Sequence, residues 1–367
     1  MMTVLLAVFA VLAPAQDGEV DRILLRFNQR REKVTSELQY RRLLADSREE
    51  LERFLKDNPR HKDAPRASFQ IAETYLSGQE VDKGFEKLQA YLKTYPIGED
   101  APAARFSLAE ILVEKEKDAD ARAQFEEFLR LHPTDERAPY ARLYAAVTLQ
   151  NQGKYDEAAT ALRAARDDYK GKKEAWGAMM QLAIVLHVQE RNAEARKTLE
   201  EIIRDCPERE PVEIARRHLA EYLKMGQDAP LFAEKDIEGR DTSTAGLRGK
   251  VVAVYFFEPA AQSASPEAGF LRRAREEAAA AGKADDLQII GVSIGEDRKE
   301  MAMYKAQSKA DWMLIHDGRG IDGKLARLFD VRALPSLTLI DRKGKARFYN
   351  IAGRDFRNAA AKLLEEK

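Results

Sequence analysis

The stretch Ala64–Pro96, APRASFQIAETYLSGQEVDKGFEKLQAYLKTYP, decides the first half of the fold. Ala64-Pro65 places a proline in a helical first turn, where its missing N–H leaves no bond unmade. Apolar residues then recur at helical spacing as far as Ser77-Gly78-Gln79, a turn signal. A second apolar stripe follows through Leu88, and Pro96 ends it. The segment reads as a helix, a short turn and a second helix. Its neighbours repeat it. Helix-ending prolines stand at Pro59, Pro96, Pro133 and Pro207, spaced by 37, 37 and twice 37 residues, and Ala101-Pro102 and Ala138-Pro139 reproduce the opening pair. Ala72, Ala109, Ala146, Ala183 and Ala220 keep the same period, as do Gly84, Ala121, Ala158 and Ala195. Small residues at those places let two helices approach closely. Large ones alternate with them: Ile71, Leu108, Leu182 and Leu219 in the first helix, and Leu51, Leu88, Phe125, Leu162 and Leu199 in the second.

One helix pair cannot bury such a stripe, but stacked pairs can, which is why the unit is repeated. The small residues on both helices, the large residue four after the second small one and the closing proline resemble the tetratricopeptide repeat. The period exceeds that family's usual spacing by three residues. The resemblance implies a helical solenoid over residues 60–226, capped by a helix pair within residues 16–59.

After Gly226-Gln227-Asp228 the helical period stops. Near-continuous apolar runs follow, Val251–Phe257, Leu287–Ser293 and Leu337–Ile340, as strands covered on both faces require. Helical stretches are expected at 266–282, 297–309 and 322–329, a β-hairpin around Asp341-Arg342-Lys343-Gly344, and a last helix from Asp355 to Glu366. Asp228-Ala229-Pro230-Leu231-Phe232, Leu247-Arg248-Gly249-Lys250-Val251-Val252, Phe256-Phe257, Glu267 and Asp330-Val331-Arg332-Ala333-Leu334-Pro335-Ser336 together resemble thioredoxin-like redoxins. The nearest types are the envelope thiol-disulfide reductases and the alkyl hydroperoxide reductase/thiol-specific antioxidant proteins. The expected fold is thus an all-α tetratricopeptide-like solenoid plus an α/β thioredoxin-like domain over residues 227–367.

In active members of those families a cysteine pair, or one peroxidatic cysteine, occupies the strand-to-helix turn, where the helix N-terminus lowers the thiol pKa. Here the turn reads Glu258-Pro259-Ala260-Ala261-Gln262-Ser263-Ala264-Ser265-Pro266-Glu267, and alignment puts Ala261 and Ala264 on the two cysteine positions. Serine hydroxyls cannot enter disulfide or sulfenic acid chemistry. Ser265-Pro266-Glu267 reads instead as a helix N-cap, a first-turn proline and a first-turn acid. Pro335 is the cis-proline candidate. The resemblance implies no catalytic residue at the degenerate positions, so the chain is not expected to be an enzyme.

Cys206 is the single cysteine, which excludes an internal disulfide, a Cys-x-x-Cys pair and a multi-cysteine metal site. The five histidines are dispersed, and no metal or cofactor is expected. With 61 basic and 62 acidic residues well mixed, nothing in the charge pattern points to nucleic acid. The opening MMTVLLAVFAVLAPA carries an apolar run, Val4–Leu12, before Ala13-Pro14-Ala15, and reads as a signal peptide over residues 1–15, cleaved near Ala15. That run is too short to span a bilayer. The expected location is periplasmic or extracellular, without stable membrane insertion.

Resemblance to tetratricopeptide proteins further implies a groove on the first helix of each pair. Mapping its positions gives Phe69, Glu73, Phe106, Glu110, Tyr140, Leu143, Gln150, Met180 and His187 as binding candidates. The groove lacks the basic clamp for a carboxylate tail, so an apolar or basic segment suits it better. The function expected is that of an exported protein-interaction scaffold, with a protein or peptide partner in the cell envelope and a redox-inactive thioredoxin-like domain. The alternatives are a redoxin-type thiol-disulfide oxidoreductase or peroxidase, and a holdase-like chaperone using the apolar groove.

Overall fold

The structure, a computed structural model, describes residues 18–259 and 266–366. The proposed signal segment and the turn positions Ala261 and Ala264 lie outside the described residues. The chain divides into two compact units, Met1–Gln152 and Gly153–Lys367.

Unit 1 is helical: α1 (Glu19–Arg31), α2 (Glu37–Asp57), α3 (Ala64–Ser77), α4 (Val81–Thr94), α5 (Ala101–Glu114), α6 (Asp118–Leu131) and α7 (Ala138–Asn151). Each of α3, α5 and α7 carries its proline in the first turn. The small positions Ala72, Ala109, Ala121 and Ala146 are fully buried. Between them Leu88, Tyr91, Phe125 and Phe128 fill one core. Aromatic edges tie it together, with Phe106 5.6 Å from Phe125 and 5.7 Å from Phe128. A second core, under α1, joins Val20 and Ile23 to Leu51, Phe54, Ala67 and Ile71.

The period also sets the turns. Gln79, Glu116, Gly153 and Glu190, each 37 residues after the last, all adopt the left-handed conformation, with φ of 62°, 58°, 74° and 61°. Only one of the four is glycine, although the conformation favours glycine.

Unit 2 begins with α8 (Tyr155–Asp168), α9 (Lys173–Val188), α10 (Asn192–Asp205) and α11 (Arg209–Tyr222) and continues into sheet structure. β1 (Ala233–Lys235) and β2 (Asp241–Ser243) form a small antiparallel hairpin. β3 (Val251–Phe257), α12 (Pro266–Ala280), β4 (Leu287–Ser293), α13 (Arg298–Ser308), β5 (Met313–His316), α14 (Lys324–Leu328), β6 (Ser336–Ile340), β7 (Ala346–Tyr349) and α15 (Gly353–Glu365) complete it. The five-stranded sheet runs in the order β5-β4-β3-β6-β7. β3, β4 and β5 are parallel, while β6 and β7 are antiparallel to their neighbours.

β3 is buried along its whole length. Its alternate residues enter two cores: Val251, Ala253, Tyr255 and Phe257 face α12 and α15, and Val252, Val254 and Phe256 face Phe329, Leu325 and Phe232. A helix-covered central strand explains the unbroken apolar run. The β1–β2 hairpin was not expected from the sequence: its strands are only three residues each.

Within unit 2 the last helix pairs pack on the sheet. His187 of α9 stacks on Tyr222 at 4.1 Å between ring centroids and meets Phe348 of β7 edge-on at 5.4 Å. Arg347 of β7 donates to Glu190 and Glu366, and Lys362 of α15 also donates to Glu190. Asn358 donates to the Tyr155 hydroxyl at 2.8 Å. The helical array changes to sheet after α11, but the last helices and the sheet form one compact unit.

Candidate functional site

Two places carry the groups singled out from the sequence. The first lies at the start of β6, where the Leu334–Pro335 peptide is cis. The preceding loop is held by Asp330, whose carboxylate accepts from Lys224 at the end of the helical array and from Arg332 at 3.0 Å. These bonds hold the Asp330 pKa below its ordinary value against the opposing effect of burial. A cleft beside Pro335 is lined by Tyr255, Glu267, Phe270, Asn350 and Phe356, among others. Asn350, in the left-handed region at φ 51°, donates to Glu221 of α11. The described residues that line this cleft include no cysteine. Cys206 instead caps the end of α10, is 9% exposed, and directs its sulfur to the Glu208 carbonyl at 3.7 Å. Pro266 is the first residue of α12.

The second place is in unit 1. Phe69 is buried against Tyr91, with centroids 5.7 Å apart, and Phe106 is half-buried among Phe125, Phe128 and Tyr144. Both rings therefore contribute to the unit's aromatic core. Glu73 is 7% exposed, and its Oε1 has no hydrogen-bond partner. Burial, with the negative charges of Asp100 and Glu110, pushes its pKa from the ordinary 4.5 to about 7. Glu110 is raised to about 7 by burial and by Glu114, and Asp100 to about 6 by burial and by Glu99, with Arg66 opposing. Tyr91 is raised as well, by burial first and then by Asp100.

Glu73 and Glu110 are thus brought into one electrostatic field, and Asp100 joins them. The sequence reading did not single out Asp100, which precedes Ala101-Pro102 as the N-cap residue of α5. An acid at a helix start was the available signal, and it reads there as capping. Of the other candidates, Tyr140 is 46% exposed, Leu143 half-buried and Gln150 buried, all on α7. In unit 2 Met180 is half-buried, whereas His187 lies in the packing against Tyr222 and Phe348. Burial and the nearby His218 lower the His187 pKa to about 4.

Among the described residues no three His, Cys, Asp or Glu side chains are grouped to hold a metal ion. None of the described helices is long and apolar enough to cross a membrane.

The order of the strands, the parallel β3-β4-β5 half, the antiparallel β6-β7 half and the cis-proline at β6 fit one fold, and residues 225–349 match the AhpC/TSA family. The sheet domain is thioredoxin-like. Residues 143–210 match the tetratricopeptide repeat, so this thioredoxin-like domain follows repeats of that type. Residues 64–152 match a family described as an outer membrane lipoprotein. Among solved structures, the thioredoxin domain of a thiol-disulfide oxidoreductase from Bacteroides vulgatus is similar at 22% identity, covering 38% of this chain and 98% of its own, with a TM-score of 0.34. A thiol-disulfide oxidoreductase from Bacteroides fragilis is similar at 18% identity, covering 37% and 99%, with a TM-score of 0.33. A thioredoxin-family thiol:disulfide interchange protein from Chlorobium tepidum gives 18% identity, 37% and 95% coverage, and a TM-score of 0.32. The comparison with curated proteins gives no significant match.

Proposed function

We propose that this chain is an exported protein-interaction scaffold in which tetratricopeptide-type repeats recognise a protein or peptide partner and the thioredoxin-like domain performs no thiol chemistry. The observation that carries this reading is the placement of sulfur. The chain has one cysteine, and it is buried at the end of α10 rather than in the cleft beside Pro335. A dithiol cycle needs two sulfurs, and a peroxidatic cycle needs an accessible thiolate. Cys206 is one sulfur and is 9% exposed, which supports the scaffold reading. The repeats over residues 60–226 would supply recognition. An envelope location, periplasmic or extracellular, is supported by the apolar run Val4–Leu12 with its Ala13-Pro14-Ala15 ending and by the likeness of residues 64–152 to an outer membrane lipoprotein family.

The match to the AhpC/TSA family favours a second reading, an enzyme of redoxin type. The two are separated by assaying the full chain and its Cys206→Ser variant for insulin disulfide reduction and peroxide consumption with glutathione as reductant. The scaffold reading expects both proteins to stay at the uncatalysed rate. Turnover by the parent that disappears in Cys206→Ser would restore the enzyme reading.

A further inference from the structure

Three acids of unit 1 share one electrostatic field without an ion-pair partner among the described residues. Glu73 and Glu110 occupy the same position of successive repeats, one on α3 and one on α5, and Asp100 stands at the start of α5. None of the three forms an ion pair among the described residues. The cation nearest in effect, Arg66, is paired with Asp21 at 2.5 Å. The neighbouring charges that act on Glu73, those of Asp100 and Glu110, are both negative.

A separate observation comes from hydrogen-bond accounting. Gln70 lies one helical turn before Glu73 on the same face of α3, is only 5% exposed, and its buried Oε1 has no donor. The Glu73 Oε1 is likewise buried without a donor. Buried acceptors in folded proteins are nearly always satisfied, and leaving one unmet costs stability. Neither oxygen takes a hydrogen bond from the described residues, so each is open to a donor from a bound group. The repeat pattern confines the demand to one place, because the equivalent positions of the next two repeats hold Val147 and Ile184.

We propose that Glu73, Asp100 and Glu110, with the Gln70 carbonyl, receive a lysine or arginine side chain of the bound partner segment. An ammonium offers three donors and a guanidinium five, and neither has an acceptor to clash with a carboxylate. Charge-assisted bonds of this kind are the strong ones. Phe106, half-buried and one turn before Glu110 on α5, sets an apolar side chain beside the acids and suits a segment in which basic and apolar residues alternate. The inference rests on the reading of the repeats as a recognition surface and adds the chemistry of what they recognise.

The test uses the full chain and a fluorescein-labelled Gly-Leu-Lys-Leu-Lys-Gly peptide, beside the same peptide with both lysines acetylated, at about pH 8 and low salt, read by anisotropy. The lysine peptide is expected to bind saturably and to bind at least about tenfold more weakly to Glu73→Gln/Glu110→Gln. The exposed pair Glu52→Gln/Glu86→Gln, with the same change in net charge, is expected to leave the affinity unchanged. Far-UV circular dichroism checks that both double variants are folded. Equal affinity of parent and Glu73→Gln/Glu110→Gln, or no saturable binding of the lysine peptide, overturns the inference. Equal binding of the acetylated peptide overturns it too, but leaves recognition by the repeats standing.

Discussion

Replacing Glu73 by Gln keeps the shape of a buried side chain and removes its charge. The fold raises the Glu73 pKa from 4.5 to about 7, mainly by burial, so the folded state holds this proton more tightly than the unfolded chain does. The sign follows from linkage. Stability contributed by the protonated carboxyl is fully present below pH 4.5 and is lost as pH rises through about 7. The difference amounts to on the order of 3 kcal/mol once the group is ionised in both states. Glu73→Gln has no proton to lose there. Relative to the parent, the variant should gain stability progressively between about pH 4.5 and 7 and level off above that range. Both tryptophans, Trp176 and Trp312, lie in unit 2, so fluorescence does not follow the affected region. Amide hydrogen exchange in α3 and α5 does. Protection factors of parent and variant, compared at each pH, should diverge in the variant's favour toward alkaline pH by roughly two powers of ten. A gap that is independent of pH, or one that closes as pH rises, would refute the assignment of a buried, high-pKa carboxyl to Glu73.

Three further outcomes follow from the packing. Gln79 is exposed and left-handed, so Gln79→Gly should stabilise by roughly 0.5–1 kcal/mol, whereas Glu190→Gly at the equivalent turn should destabilise by about 1–2 kcal/mol. The second change removes the partner of Arg347 and Lys362, and opposite shifts of the urea midpoint at constant slope would verify the contrast. Ala158 is fully buried in phase with Gly84, Ala121 and Ala195, so Ala158→Leu should cost about 1–3 kcal/mol through overpacking; an unchanged Tm would contradict the close helix approach. The Cys206 thiol should react slowly with a disulfide reagent in the native chain and rapidly in urea, and Cys206→Ser should cost no more than about 1 kcal/mol. Immediate reaction of the native thiol would undo the argument from its burial.

What the sequence determined by itself was whatever repeats or is local. The 37-residue period names the small residues Ala72, Ala109 and Ala146 that are fully buried, because close helix approach demands a small side chain at every turn of the repeat. The unbroken run Val251–Phe257 declared a strand covered on both faces for the same kind of reason: each residue has a wall of apolar atoms to meet. Proline and glycine punctuation set the helix starts. The β1–β2 hairpin escaped notice because strands of three residues are too short to leave a periodic trace. Tertiary structure alone decided the electrostatics. Glu73 and Asp100 are far apart in the chain, and only the packing of α3, α4 and α5 places them in a common field and removes the water that would have screened it. It also decided that His187 meets Tyr222 and Phe348, and that the last helices share a compact unit with the sheet. Spacing records which residues share a helix face, but desolvation and charge proximity depend on which faces come together.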